Sequence, residues 1–237
     1  LISPHTLSKR RRLLVVFNMS TIIYCLSLVL FAASFLKSEL SEQEKYEIPY
    51  EEDECNFPHQ NASKAVEING KLYVKRQNFN ATFPPLCDSA ERVASYNETD
   101  YLFTLAAVIP VAPNITVKFN TSLVLSKTGN HCDYNALTYK YETKAPPKLR
   151  KLMYKNDLNT CMIFVDERNS TAENARCQLL QPVAYADENV PDDCQQVYEA
   201  QCPGPKTTVY FPYCKNLTEV SVDFLTKLLT TPKPPGC

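Results

Sequence analysis

The chain has 237 residues, 44% hydrophobic and 22% charged, with ten cysteines, seventeen prolines, four glycines and no tryptophan. That apolar fraction suits one medium domain with extensions or two small ones, and excludes a disordered or collagen-like chain. A formal net charge of −1 gives no basic footprint for nucleic acid, and glycines at 70, 129, 204 and 236 compose neither a P-loop nor a dinucleotide fingerprint.

The sequence opens on Leu1, and its first methionine is Met19, so residues 1–18 read as an untranslated or non-native leader. From Met19 an apolar core, Ile22–Phe31, runs into Ala32, Ala33 and Ser34. This is the layout of a secretory signal peptide over 19–38, with cleavage after Ser34 or Ser38. The rival reading keeps Lys9-Arg10-Arg11-Arg12 as the positive flank of an anchor helix at Leu13–Leu36. Both readings send the remainder into the secretory lumen. Removing residues 1–38 takes away five basic residues and Cys25, leaving 20 basic against 26 acidic residues and nine cysteines.

An acidic linker is expected over 39–54, followed by a short helix-compatible stretch, Asn61–Ile68, that Gly70 breaks. Short strand-forming runs then follow at Lys71–Lys75, Tyr101–Ile109, Ile115–Phe119, Ser122–Ser126, Leu137–Tyr141, Cys161–Asp166, Cys177–Val183 and Thr207–Phe211. Separated by Asn, Pro, Asp and Ser, and without long helical patterns between them, they predict an all-β antiparallel meander rather than a parallel α/β sheet. One segment differs. Pro191-Asp192-Asp193 opens a run with Cys194, Val197, Tyr198 and Cys202 at helical spacing, stopped by Pro203-Gly204-Pro205. Acids in its first turn suit the positive end of a helix dipole. Residues 216–237 read as a C-terminal tail, with Pro232–Cys237 too proline-rich to fold alone.

Asn-x-Ser/Thr acceptors for glycosylation stand at Asn61, Asn80, Asn97, Asn114, Asn120, Asn169 and Asn216, and each occupied one must face solvent. In an oxidising lumen, Cys55, Cys87, Cys132, Cys161, Cys177, Cys194, Cys202, Cys214 and Cys237 should form disulfides, with Cys237 the obvious spare. No C-x-x-C is present and only His59 and His131 remain as histidines beyond the leader, so no metal site and no cofactor are expected. Both histidines read as surface residues. Without G-x-S-x-G or H-E-x-x-H, nothing points to catalysis. What remains is a pocket: a small antiparallel barrel can hold one ligand in its lumen. Tyr73, Phe103, Phe119, Tyr139, Tyr141 and Phe164 are the candidate ligand-binding aromatics on the predicted strands.

The C-terminal half carries a specific pattern: Cys161-Met162-Ile163-Phe164, Cys177-Gln178-Leu179-Leu180, Val190-Pro191-Asp192-Asp193-Cys194, then Tyr198, Cys202 and Tyr213-Cys214-Lys215. Its order and spacing resemble the tick salivary lipocalins of the histamine-binding protein family. Gly70-Lys71-Leu72-Tyr73 resembles the family's first strand, and the likeness covers about residues 55–215. The resemblance implies an eight-stranded antiparallel lipocalin barrel with a short N-terminal helix and a C-terminal helix packed outside. By the same resemblance Cys87 pairs with Cys214 and Cys161 with Cys194. Cys177 with Cys202 makes a plausible third bridge, and Cys55 with Cys132 is what remains over.

The resemblance also implies a secreted monomer that sequesters a small host mediator, histamine or another biogenic amine, and so blunts host defence. In amine-binding members an acid follows the strand cysteine and a Glu-Leu-aromatic triplet lies on the next strand. Here Met162, Gln178 and Leu180 replace the acid, the Glu and the aromatic. A buried ammonium needs a carboxylate or an aromatic face, and Glu142 or Asp166 could supply the former. The altered pattern opens two alternatives. One is a leukotriene or fatty acid whose carboxylate meets Arg92, Lys118 or Lys140; the other is a scaffold binding a host complement or clotting protein through its loops.

Overall fold

In the computed structural model, the described residues are 48–79, 85–110, 112–168, 170, 171 and 173–230. The expected leader, signal segment, rival anchor helix, residues 39–47 of the acidic stretch, Asn80, Asn169 and Cys237 lie outside them.

Eight strands form the body: β1 (Leu72–Gln77), β2 (Leu86–Ser95), β3 (Asp100–Ile109), β4 (Ala112–Ser126), β5 (Ala136–Tyr139), β6 (Lys148–Lys155), β7 (Met162–Asp166) and β8 (Cys177–Pro182). Each is antiparallel to the next, and β8 returns to β1 through pairs such as Leu72↔Pro182 and Val74↔Leu180, closing a barrel. Closure leaves no open edge within the ring. The expected runs at 115–119 and 122–126 are one continuous strand. The polar residues between them do not interrupt it: Asn120 faces solvent and accepts a hydrogen bond from Thr104 Oγ1 of β3 at 2.7 Å.

Two of these eight strands had no expectation behind them. β2, Leu-Cys-Asp-Ser-Ala-Glu-Arg-Val-Ala-Ser, is too polar to show an alternating pattern. β6, Lys-Leu-Arg-Lys-Leu-Met-Tyr-Lys, has the composition of a helix. Its cations settle where partners wait: Arg150 and Lys151 are both buried and both ion-paired. Conversely, Thr207–Phe211 supplies only a two-residue strand, β9 (Thr207–Thr208), against β1. Val209 just beyond it bonds both Lys75 and Cys87 backbones, taking over where the short β1–β2 pairing ends.

Period two sorts β6 to β8 into two buried faces. Leu152, Met162, Phe164 and Leu180 point into the lumen, while Met153, Ile163, Val165 and Leu179 point outward. The outer face is covered by helix α2 (Asp192–Gln201), whose Cys194, Tyr198 and Cys202 recur every four residues and so share one side. Two bridges fasten it, Cys161–Cys194 and Cys177–Cys202; a third, Cys87–Cys214, ties β2 to the turn after β9.

The folded body extends past both limits drawn from sequence. Glu51 and Glu52, inside the stretch read as linker, lie in a short 3-10 turn, Tyr50–Glu52. Glu51 is fully buried and receives both Arg168 Nε (2.7 Å) and Nη2 (2.9 Å). Burying an acid beside a matching guanidinium is tolerated because the pair is bidentate. Helix α1 (Ala62–Val66) follows, its N-terminus capped by Asn61 Oδ1, which accepts the Lys64 amide at 3.1 Å. Beyond residue 216, β10 (Thr218–Ser221) lies parallel to the first half of β4 and leads into helix α3 (Val222–Thr230). Glu219 of β10 ion-pairs with Lys71, and with Lys118 at 3.0 Å.

His131 is not at the surface. Its ring stacks on Phe57 with centroids 3.6 Å apart, and Nε2 lies 2.7 Å from Gln60 Oε1. The loop between β4 and β5 is folded under the N-terminal segment, and this encloses it.

Candidate ligand-binding cavity

The lumen holds a hollow of about 60 Å³. Its walls are mostly aliphatic: Leu72 and Val74 of β1, Leu105 of β3, Leu123 of β4, Leu137 of β5 and Leu180 of β8, with Ala65 and Val66 of α1 laid over them. Phe103, Tyr139, Tyr141 and Phe164, four of the six aromatics picked from the sequence, line it.

The other two do not line it. Tyr73 sits between Leu72 and Val74 on β1, so the pleat turns it outward, where its ring packs on Tyr210 at 4.9 Å. Phe119 shares the parity of Leu123, but β4 meets β5 only from Leu123 onward, and Phe119 lies before that point.

One end of the hollow is polar, and Arg150 organises it. Its Nε donates to Asp166 Oδ1 at 3.1 Å, its Nη1 to Gln178 Oε1 at 2.5 Å and to the Tyr139 hydroxyl at 3.4 Å, and its Nη2 to the Phe164 carbonyl at 3.4 Å. The guanidinium also lies 5.4 Å from the centre of the Tyr141 ring. Burial opposes the charge of Arg150, but Tyr141, Tyr139 and Asp166 outweigh it and hold its pKa above the ordinary value. Burial also keeps the Tyr141 phenol neutral by raising its pKa.

Gln178 passes this order on, donating from Nε2 to Asp88 Oδ2 at 3.2 Å. Asp88 lines the hollow, and burial pushes its carboxyl up from 3.8 to about 6, against the opposing pull of Arg150, Gln178 and the Ser89 amide. A carboxylate in such a place is short of compensation. At neutral pH it is ionised, and its surroundings favour a cation beside it.

Met162 and Leu180, two of the three departures from the amine-binding pattern, pack in the lumen core. The third, Gln178, holds Arg150 and Asp88 together. Of the proposed substitute acids, Glu142 is exposed, and Asp166 is engaged by Arg150 and by Arg176 Nε at 3.1 Å. None of the bases proposed for a carboxylate ligand lines the hollow: Arg92 donates to Asn69, Lys118 pairs with Glu219, and Lys140 is exposed. Asp88 and Arg150 were missed because their strands were. A Cys-Asp pair in β2 and an Arg in a lysine-rich β6 become recognisable only once the pleat parity is known.

Among the described acceptor asparagines, Asn97, Asn114, Asn120 and Asn216 are exposed. Asn61 is half-buried, and its Nδ2 donates to Asp133 at 3.1 Å.

A closed eight-stranded antiparallel barrel with an apolar lumen, a short helix laid over it and a C-terminal helix outside defines a lipocalin. Two solved structures, AM182 and insecticyanin, agree in fold. AM182 in complex with serotonin is 13% identical, with 70% of this chain and 99% of that one covered and a TM-score of 0.52. Insecticyanin from the tobacco hornworm Manduca sexta is 10% identical over 69% and 89% of the two chains, with a TM-score of 0.51. Japanin from Rhipicephalus appendiculatus bound to cholesterol is 14% identical over 62% and 95%, at a TM-score of 0.45. No curated protein matches the chain. The tick histamine binding protein family model matches residues 50–216, and the chain belongs to that family.

Proposed function

We propose that this lipocalin is secreted and sequesters a small protonated amine, with Asp88 as the counter-charge and the faces of Phe103, Tyr139, Tyr141 and Phe164 as the walls. The observation that carries this reading is Asp88 itself, an acid facing an apolar, aromatic-lined hollow. An ammonium placed there gains a charge-assisted hydrogen bond and a cation–π face together. Removal of a biogenic amine from the host tissue would blunt the inflammatory response, in keeping with the family. Seven glycan acceptors and the three disulfides support passage through an oxidising lumen.

Size and charge both favour a small amine over an acyl chain. A hollow of about 60 Å³ is below the ~150 Å³ in which an engineered apolar cavity holds benzene. Even a single ring must move side chains aside, and a fatty acid or sterol must move many more. Arg150, the cation at the polar end, already spends four of its five N–H donors on Asp166, Gln178, Tyr139 and Phe164.

Calorimetric titration of the chain with serotonin, histamine, a leukotriene and arachidonate tests the proposal. At pH 7.5 an amine should bind, and Asp88→Asn should weaken it by at least ~30-fold, as expected when one member of a buried charge pair is removed. Binding of the acids alone, or amine binding that Asp88→Asn leaves intact, would overturn it. Capture of a serum protein with silence across the panel would favour the scaffold alternative.

A further inference from the structure

Two cysteines among the described residues are outside the three bridges, Cys55 and Cys132, and both are exposed. They lie on segments that run side by side. Thr128 Oγ1 donates to Glu52 at 2.9 Å, and Asn130 Nδ2 to Glu54 at 3.3 Å. Farther along, Phe57 stacks on His131, Gln60 meets the same ring, Asn61 donates to Asp133, and the Ala62 amide donates to the Tyr134 carbonyl at 2.7 Å. The contacts run in the same direction along both segments, and Glu54 and Phe57, which flank Cys55, meet Asn130 and His131, which precede Cys132. Gly129 permits this closeness: its φ is +53°, and a Cβ there would collide with the Glu52 carboxylate.

We infer that Cys55 and Cys132 close a fourth, solvent-exposed disulfide that clasps the N-terminal segment to the β4–β5 loop. The chemistry is thiol–disulfide exchange with an oxidant of the glutathione-disulfide class. One cysteine thiolate attacks a glutathione sulfur and releases one glutathione thiolate. The second cysteine attacks the mixed disulfide and releases the other, so two thiol protons and two electrons leave the protein. The bridge acts on the cavity through α1, which begins three residues after His59 and lays Ala65 and Val66 over the hollow. Clasped, the cover is held covalently at its upstream end; opened, that end is held only by the hydrogen bonds and ring contacts of residues 51–62. The other bridges join cysteines that are at most 5% exposed, so this one alone is within easy reach of a reductant.

Peptide mapping of the full chain, expressed through a secretory host and digested without reduction, should recover a cross-linked peptide containing Cys55 and Cys132. Iodoacetamide labelling of both before reduction, or either one found joined to Cys237 or to another chain, overturns the inference. Graded glutathione should open this bridge before the three buried ones; simultaneous opening would count against a separate clasp. The Cys55→Ser/Cys132→Ser double variant, which keeps the other bridges, should exchange amide hydrogens faster across residues 50–68 than wild type, with β6 to β8 unchanged. Equal exchange over 50–68 would show that nothing was clasped.

Discussion

Asp88 gives binding and stability opposite interests. Its carboxyl sits at about 6 in the folded chain against 3.8 as a free side chain, so between those values the folded state holds a proton that the unfolded state has released. Stability from this group is therefore present at low pH and lost as pH rises through about 6. Amine binding needs the ionised form and runs the other way. Affinity measured by calorimetry should fall as pH drops below about 6. Denaturation midpoints should show Asp88→Asn gaining on wild type at pH 7.5 more than at pH 4. Arg150 behaves differently: Arg150→Met leaves Gln178 Oε1 and the Phe164 carbonyl without their buried donor while Asp166 keeps Arg176, and a buried acceptor left unpaired typically costs about 1–3 kcal/mol, to be read from urea unfolding. At this scale the sequence was readable where identity alone decides. The missing Glu at 178 was visible, but the partners of Gln178 were not, because Asp88 and Arg150 stand 90 and 28 residues away.

Among the elements, β10 depends most on a charge. It pairs with the half of β4 that β5 does not reach, and Glu219 fastens it to Lys71 and Lys118. Burial works against the carboxylate, but hydrogen bonds from Lys71 and Lys118 prevail and hold its pKa below 4.5. A depressed carboxyl stabilises the fold above the unfolded value and loses that contribution as pH falls through the folded one. Hydrogen exchange in residues 218–230 should therefore quicken below about pH 4.5 in wild type, and should already be fast at neutral pH in Glu219→Gln. The strands legible in the sequence are those with a plain β pattern, such as β3 and β7. β10 is four residues with one apolar side chain, Val220, and nothing local distinguishes it from a tail.

At the scale of the whole molecule, the bridge Cys87–Cys214 spans 127 residues and joins β2 to the end of the barrel's chain path. Removing it with Cys87→Ser/Cys214→Ser should cost about 4–5 kcal/mol in the chain-entropy account, measurable as a lower urea midpoint. The same variant should keep α2 docked, since Cys161–Cys194 and Cys177–Cys202 hold that helix independently. Ring closure also sets the limits of the hollow. Strands β6 to β8 are packed on both faces, which fixes Met162, Phe164 and Leu180 in place. The thinner wall is α1, which lays only Ala65 and Val66 over the hollow.

The order of residues alone was enough for an antiparallel β body and the helix opened by Pro191, because strand-forming runs, helical spacing and acids in a first turn are local; the eight-stranded barrel and the bridges were implied by the family resemblance, whose cysteine pattern survives in linear order. The parity that turned Tyr73 out and Asp88 in, the burial of Glu51 and His131, and the pairing of Arg150 with Gln178 were decided by tertiary structure. Each depends on which distant backbone lies across a face, and a side chain's neighbours across a closed sheet are set by register rather than by distance along the chain.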